Sequence, residues 1–474
     1  MTLGRASSLA VVGFCGLAAA LVCAAATASL TALPDFRYAG ALLLGVLALA
    51  FGAFGMLRPR EALLVFLGFA PVLNAYMFFT GHLPDPRGGA LKHVLWAGIV
   101  GGWFLRGIVT RRFLSGEGTR RRAPDTVFLL YALYAVAQGT RQLPIVSVGG
   151  LVLVLQGIRQ ELEFLLAFFV ARDVLEEPRD LRRLAVALAL ATAGTAAVGG
   201  MQALHLLPAP FGPSVISGVE RVDSVVMEAN NFAWTLGLGV PVFLARATRP
   251  GFDAPRLLAG GVVLLFAGLV AASGSRTGFA VLACASIGIV VGRRRPAYLL
   301  ALLPCVAAGV LAFPLLSDRF REVTEVGTVA EARLRMWRRL SQLAEENPLF
   351  GGGYGWVGGA VSGVTEEQTQ WADSTPVHVG VQFGAVGLLL FVGGLLAALL
   401  AGGGGVRRAG DPETRALGSA FLGALVGCVA ISPVHIPWIP FPTSLYAWTL
   451  LGVLVGFERF DAGAPRMDGV SRAG

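Results

Sequence analysis

Lysine is almost missing from this chain: of its 38 basic residues in 474, only Lys92 is one, and the others are arginines. Charge of either sign is scarce, at 14% of residues against 55% hydrophobic. A water-soluble domain carries about a quarter of its residues charged, so a soluble globular protein is excluded. With a mean hydropathy of +0.69, the chain would expose apolar surface that belongs in lipid. The five cysteines, Cys15, Cys23, Cys284, Cys305 and Cys428, lie in apolar runs and show neither metal-ligand spacing nor a disulfide framework. No Asp-x-Asp occurs, which leaves a metal-held nucleotide-sugar site unsupported. No Gly-x-x-x-x-Gly-Lys-Ser/Thr occurs, which does the same for a nucleotide-driven pump. A net charge of +9 would suggest nucleic acid in a soluble protein; in a membrane chain it reads first as topology, with no nucleic-acid partner.

What the chain does have is long apolar runs. A bilayer crossing takes about 20 residues, and strong candidates lie at 8–30, 39–57, 62–80, 90–108, 184–204, 229–247, 277–292, 297–316, 379–401, 416–432 and 441–457. Weaker runs lie at 126–138, 159–171 and 257–272. The expected fold is an all-α integral membrane protein, a polytopic helix bundle of 12–14 spans. The first run, behind Arg5 and ending in Ala26, Ala28 and Ser29, has the look of a signal peptide but is read as an uncleaved helix.

Arginine placement orients the bundle. With the N-terminus inside, 25 basic residues fall on the cytoplasmic side and seven on the short segments opposite; six more sit in the loop 317–378, too long to count. Both termini are therefore expected in the cytoplasm and the long loop outside. The organisation that follows is membrane helices over 1–316, the outer loop over 317–378, membrane helices over 379–457 and a cytoplasmic tail over 458–474. Within the loop, residues 329–346 alternate as an amphipathic helix, with Ala330, Leu334, Trp337, Leu340 and Ala344 on one stripe. Asn347-Pro348 stops it, and Gly351-Gly352-Gly353-Tyr354-Gly355 follows. That glycine run reads as a tight turn, with a cradle of amide donors for an anion as the alternative.

Three outer features stand apart from the apolar background: Arg221, ahead of the span at 229–247; Arg276, in a very short turn between two helices; and His378, where the loop re-enters the membrane. Charge at membrane depth is costly and usually faces a cavity or a partner. Two arginines on one side suit a phosphate or pyrophosphate, because each guanidinium offers a planar fork of donors. A neutral histidine beside them could take a proton from a hydroxyl. Each also has a plain reading, a snorkelling arginine or a hydrogen-bonded interfacial histidine. Their shared side is what favours a site. His205 and His435 are reserve candidates, while His82 and His93 read as interfacial. Glu161 and Glu163, beside Arg159, read as an internally paired cluster, with acid–base work as the alternative.

Four pieces of the chain resemble the O-antigen ligases and Wzy-type O-antigen polymerases. They are Arg221 followed by Asn231-Phe232-Ala233; Ser273-Gly274-Ser275-Arg276-Thr277-Gly278; Arg333-Leu334-Arg335-Met336-Trp337 with Asn347-Pro348-Leu349-Phe350-Gly351-Gly352-Gly353; and His378 followed by Gly384-Ala385-Val386-Gly387. They cover roughly residues 220–400. Two positions depart from the pattern: Val379 stands where the family usually has asparagine after the histidine, and Gln382 where it often has glutamate. The resemblance implies a GT-C-like glycosyltransferase of the bacterial inner membrane, acting on its periplasmic face without metal, nucleotide or other cofactor. The donor it implies is a glycan on undecaprenyl pyrophosphate, and the acceptor a glycan or lipid-linked glycan. A flippase or chain-length regulator would be the protein partner. Carried over by position, Arg221 and Arg276 bind pyrophosphate, and His378 activates the acceptor hydroxyl. Arg333, Arg335, Arg338 and Arg339 are secondary phosphate or sugar contacts. The competing class is a transporter or flippase of lipid-linked sugar, and a bare scaffold for a polysaccharide assembly is a third. Transporters tend to show repeats and broken helices at the midplane, and no such repeat is visible in the sequence.

Overall fold

The computed structural model describes residues 46, 49–80, 88–110, 122–142, 148–207, 211–216, 219–226, 228–249, 251, 253–294, 329–354 and 373–460. The described chain is a helical bundle. Its helices are α1 (Pro59–Thr80), α2 (Gly88–Val109), α3 (Ala123–Gln142), α4 (Val148–Leu162), α5 (Leu165–Val174), α6 (Pro178–Ala203), α7 (Ala229–Ala247), α8 (Ala254–Ala272), α9 (Arg276–Arg293), α10 (Val329–Glu346), α11 (Thr375–Arg408), α12 (Pro412–Ile431) and α13 (Thr443–Val455). Between α6 and α7 a two-stranded antiparallel ribbon, β1 (Ser214–Ile216) with β2 (Val219–Arg221), pairs Ser214 with Arg221. It is a small addition to the all-α expectation. The runs expected at 8–30 and 297–316, and residues 39–45, 47 and 48 of that at 39–57, lie outside the described residues, as does His82.

Among the described residues, α6, α8, α9, α11 and α12 are long and apolar enough to cross a bilayer. Their outer faces show the same solvent. Leu257, Leu258, Leu264 and Leu265 of α8, and Leu389, Leu396 and Leu400 of α11, are exposed at helical spacing; such stripes face lipid rather than water. α13 is different, because every residue from Thr443 to Val455 is buried. A helix apolar all round belongs in the middle of a bundle, and α13 sits there, with Trp448 edge-on to Phe128 at 5.2 Å and Phe391 at 6.1 Å. Glycine admits it on two sides, through Gly402 of α11 against Leu454 and through its own Gly452 against the Phe168 backbone of α5, and α9 and α12 need glycine as well. Gly288 and Gly292 of α9 lie against Ser419 and its surroundings, and Gly423 and Gly427 of α12 against Cys284 and Val281. Small residues four apart on both helices let the backbones close up, the packing that works where lipid removes the hydrophobic drive between helices.

The weak run at 159–171 is not one helix. It divides at Glu163-Phe164 into α4 and α5, because the Glu163 carbonyl accepts from the Trp96 indole instead of from the next turn.

Arginines tie the helix ends together at one end of the bundle. Arg60 bonds Glu177 (3.1 Å) and Asp180 (3.2 Å); Arg293 and Arg249 share Glu413 (2.7 and 2.8 Å); Arg122 and Arg408 share Glu458; and Arg172 pairs with Asp125. α7, α9 and α11 finish at this end, so all three begin at the other. Each start is capped by its own sequence: Glu228 accepts from the Asn230 and Asn231 amides, Ser275 from Gly278, and Ser374 from Val377.

Candidate active site

Arg221 ends β2 and is buried, with 7% of its surface exposed. Its Nε donates to the Ser273 carbonyl at 2.8 Å, and Nη2 to Asn230 Oδ1 at 3.4 Å. The Ser273–Gly278 turn is built around that contact. Gly274 takes a left-handed φ of +63° and lies beside the guanidinium; the Ser273 hydroxyl closes the turn by accepting from the Ser275 amide at 3.2 Å. Ser275 then caps α9, whose first residue is Arg276, exposed at the bundle surface. The buried guanidinium is thus pinned three residues ahead of the exposed one. Two acids flank Arg221. Burial pushes the Asp223 and Glu228 carboxyls above the ordinary range, although hydrogen bonds from Gln202 to Asp223 and from the Asn231 and Asn230 amides to Glu228, together with the Arg221 charge, pull the other way. Against them stand the positive ends of α7 and α9, which add to the guanidinium charge.

His378 lies in the first turn of α11 and is 1% exposed. Its Nε2 faces Glu161 Oε1, the closest polar contact of the ring. Glu161 also accepts from the Tyr131 hydroxyl at 3.2 Å. Nδ1 is buried with no hydrogen-bond partner among the described residues, and so is Oε1 of Gln382, one turn further along α11. The helix is then broken. Gly384 adopts φ +63° and ψ −165°, and the freed backbone groups are taken up by residues 348–353. Gly352 and Gly353 donate to the Val381 and Gln382 carbonyls (2.8 and 2.9 Å), while Ala385 and Val386 donate to Pro348 and Leu349 (2.8 and 3.1 Å). The glycine run is therefore a turn that gives its Gly352 and Gly353 amides to α11 and its Gly351 amide to Asn347, and Gly355 lies outside the described residues. α10 lies against the same helix, with Leu340 buried among Val381, Ile436 and Ile439 and Ala344 packed beside them.

The two parts of the site are joined by side chains. The Trp234 indole donates to Thr277 Oγ1 at 3.0 Å, one residue past Arg276. Its ring meets His435 edge-on at 5.0 Å, and the His435 carbonyl accepts from the amide and hydroxyl of Thr375, three residues before His378. His435 thus works as a strut. His205 is exposed and reaches Glu220 at 3.5 Å, beside β2 and away from Glu161. Arg338 and Arg339 are exposed on α10; Arg333 and Arg335 lie on that helix with side chains outside the described set.

Glu161 and Glu163, read together from the sequence, part company in the structure. Glu163 does join an internal cluster, with His93 and with Arg159 at 4.0 Å. Glu161 instead crosses to His378. Helical spacing carries the signal: Arg159 and Glu163 are four apart and share a face, whereas Arg159 and Glu161 are two apart and do not.

Residues 261–392 match the family model described as O-antigen ligase. Among curated proteins, none matches the chain. The matched segment holds Arg276, the four α10 arginines, the glycine turn, His378 and the break at Gly384; Arg221 and Glu161 precede it. Over residues 261–392 the chain is thus similar to the O-antigen ligase family, and that segment is set in a longer helical membrane protein.

Proposed function

We propose that this protein transfers a glycan from an undecaprenyl pyrophosphate carrier to an acceptor sugar hydroxyl, as a polymerase or ligase. The reaction takes place on the periplasmic face of the bacterial inner membrane. The family of residues 261–392 supports glycan transfer from a lipid-linked substrate. The observation that carries the finer reading is the Ser273–Gly278 turn, which anchors buried Arg221 beside the start of Arg276's helix at the end of the bundle where His378 lies. In this reading Arg221 and Arg276 hold the pyrophosphate and stabilise the charge that grows on it as it leaves. The energy resides in the sugar–phosphate bond, so guanidinium groups fill the role that a metal has elsewhere. His378 takes the proton of the acceptor hydroxyl as its oxygen bonds to the anomeric carbon and the bond to phosphate breaks. Arg333, Arg335, Arg338 and Arg339 on α10 are further sugar or phosphate contacts. In this reading the arginine-tied end faces the cytoplasm, which the 25-to-7 imbalance supports.

The test measures donor binding and glycan transfer on purified protein. Removing a positioned base costs about 10²–10⁴-fold in rate, so His378→Ala should lose transfer and keep donor binding, while Arg221→Ala and Arg276→Ala should weaken both. Near-parental transfer by His378→Ala would refute the assignment of the base.

A further inference from the structure

A histidine that removes a proton must present a lone pair to it, and the nitrogen that does so is fixed by what the other nitrogen bonds. In His378 the two nitrogens are treated differently. Nε2 faces the Glu161 carboxylate, and Nδ1 is buried with no partner among the described residues. An ionised carboxylate only accepts hydrogen bonds, so the ring proton belongs on Nε2 and the lone pair on Nδ1. Glu161 is itself held in place. Its side chain is 6% exposed, it accepts from Tyr131, and Tyr131 is 1% exposed on α3.

The charge comes from outside the family segment. From Thr375 to Arg408, α11 contains no acidic residue. The neighbouring acid, Glu163, is occupied by His93 and Arg159. Glu161, on α4, is the carboxylate that contacts the ring.

We propose that Glu161 is the positioning residue of His378: it holds the imidazole as the Nε2-protonated tautomer, leaves Nδ1 to take the acceptor's proton, and stabilises the imidazolium that results. The proposal rests on His378 being the base. As the acceptor oxygen bonds to the anomeric carbon, its proton passes to Nδ1, the pyrophosphate leaves with the bonding pair, and Glu161 keeps its negative charge beside the doubly protonated ring. A carboxylate in this relation to a histidine sets tautomer and orientation without itself being protonated. A pair serving structure alone would give Nδ1 a donor too, since a buried polar atom without a partner is costly.

The experiment combines kinetics with nitrogen NMR on histidine-labelled full-length protein in detergent, with the His378 signal assigned by its loss in His378→Gln. The parent should show the Nε2-protonated form. Glu161→Gln should lower kcat about 10²-fold or more while donor KM stays within about twofold, and its His378 signal should shift towards the other tautomer. Glu161→Asp should recover part of the rate. Glu163→Gln, at the break between α4 and α5, should transfer at the parental rate. An Nδ1-protonated His378 in the parent would overturn the proposal even if the Glu161 variants fail to fold. So would a Glu161→Gln protein with near-parental kcat while His378→Ala is inactive, and so would equal losses in kcat and donor binding, which mark a structural role. A transfer-competent His378→Ala is a different failure, since it removes the base reading on which the proposal stands.

Discussion

Replacing Gly384 by alanine tests the link between the glycine turn and the helix of His378. Two costs are local. The backbone there, at φ +63° and ψ −165°, lies in a region essentially reserved for glycine, where a side chain costs about 1–3 kcal/mol. A Cβ would also sit 2.6 Å from the Gly351 amide and closer still to the Leu349 carbonyl, and such overpacking costs about 1–3 kcal/mol more. The clash presses on the segment that exchanges four backbone hydrogen bonds with α11, and losing two of them adds about 1–3 kcal/mol. The sum, about 3–9 kcal/mol, rivals the whole stability of a typical domain. Gly393→Ala is the control on the same helix, because nothing lies within 4 Å of its Cβ position and alanine is favoured over glycine in a helix by about 0.5–1 kcal/mol. Thermal unfolding in detergent, followed by tryptophan fluorescence, should show Gly384→Ala melting many degrees below the parent and Gly393→Ala level with it or above. Transfer should fall in the first alone. Should Gly384→Ala melt within about 2 °C of the parent, the reasoning about the break would be wrong.

Three further outcomes are expected. Arg276→Lys keeps the charge but loses the planar fork that spans two phosphate oxygens, so most transfer activity should go; parental activity in Arg276→Lys with a dead Arg276→Ala would mean that simple charge suffices. A cysteine at Ser362 should react with an impermeant thiol reagent applied from outside the inner membrane and one at Ser115 should not; the reverse pattern would invert the orientation and remove the site from the periplasm. Burial raises the Glu458 carboxyl, but the Arg122 charge and hydrogen bonds from Arg408 and Arg122 outweigh it and hold the group below its ordinary 4.5. The stabilisation it gives is present above that value and disappears as pH falls through the lower, folded-state one. The melting gap between parent and Glu458→Gln should therefore be open at pH 7 and close in acid; an equal gap at both would rule out the ion pairs.

Much of the site's position could be read from the chain because each feature is local. Short turns such as Ser273–Gly278 have to satisfy their own backbone groups, so their serines and glycines stand next to one another in sequence. Helix caps are local in the same way: Ser275, Ser374 and Asp411 each accept from an amide three residues on. What escaped is pairing across helices. Nothing in the sequence around Glu161 points to a histidine 217 positions away, and the break between α4 and α5 depends on an indole from α2. The amides of Gly352 and Gly353 go to carbonyls that exist only because α11 is interrupted, a fact their own stretch of sequence does not carry.

The placement of α13 bears on how the protein is assembled. Residues 443–455 are threaded into the membrane after every other described helix has been made, yet they end up innermost, enclosed on all sides. Until they arrive, the partners of Trp448, among them Phe128 and Phe391, surround a vacant core. The half-built bundle must therefore hold its earlier helices loosely enough to admit one more. A chain stopped short of Thr443 would lack its centre rather than its edge, and quality control in the membrane would meet it as a collapsed or splayed bundle.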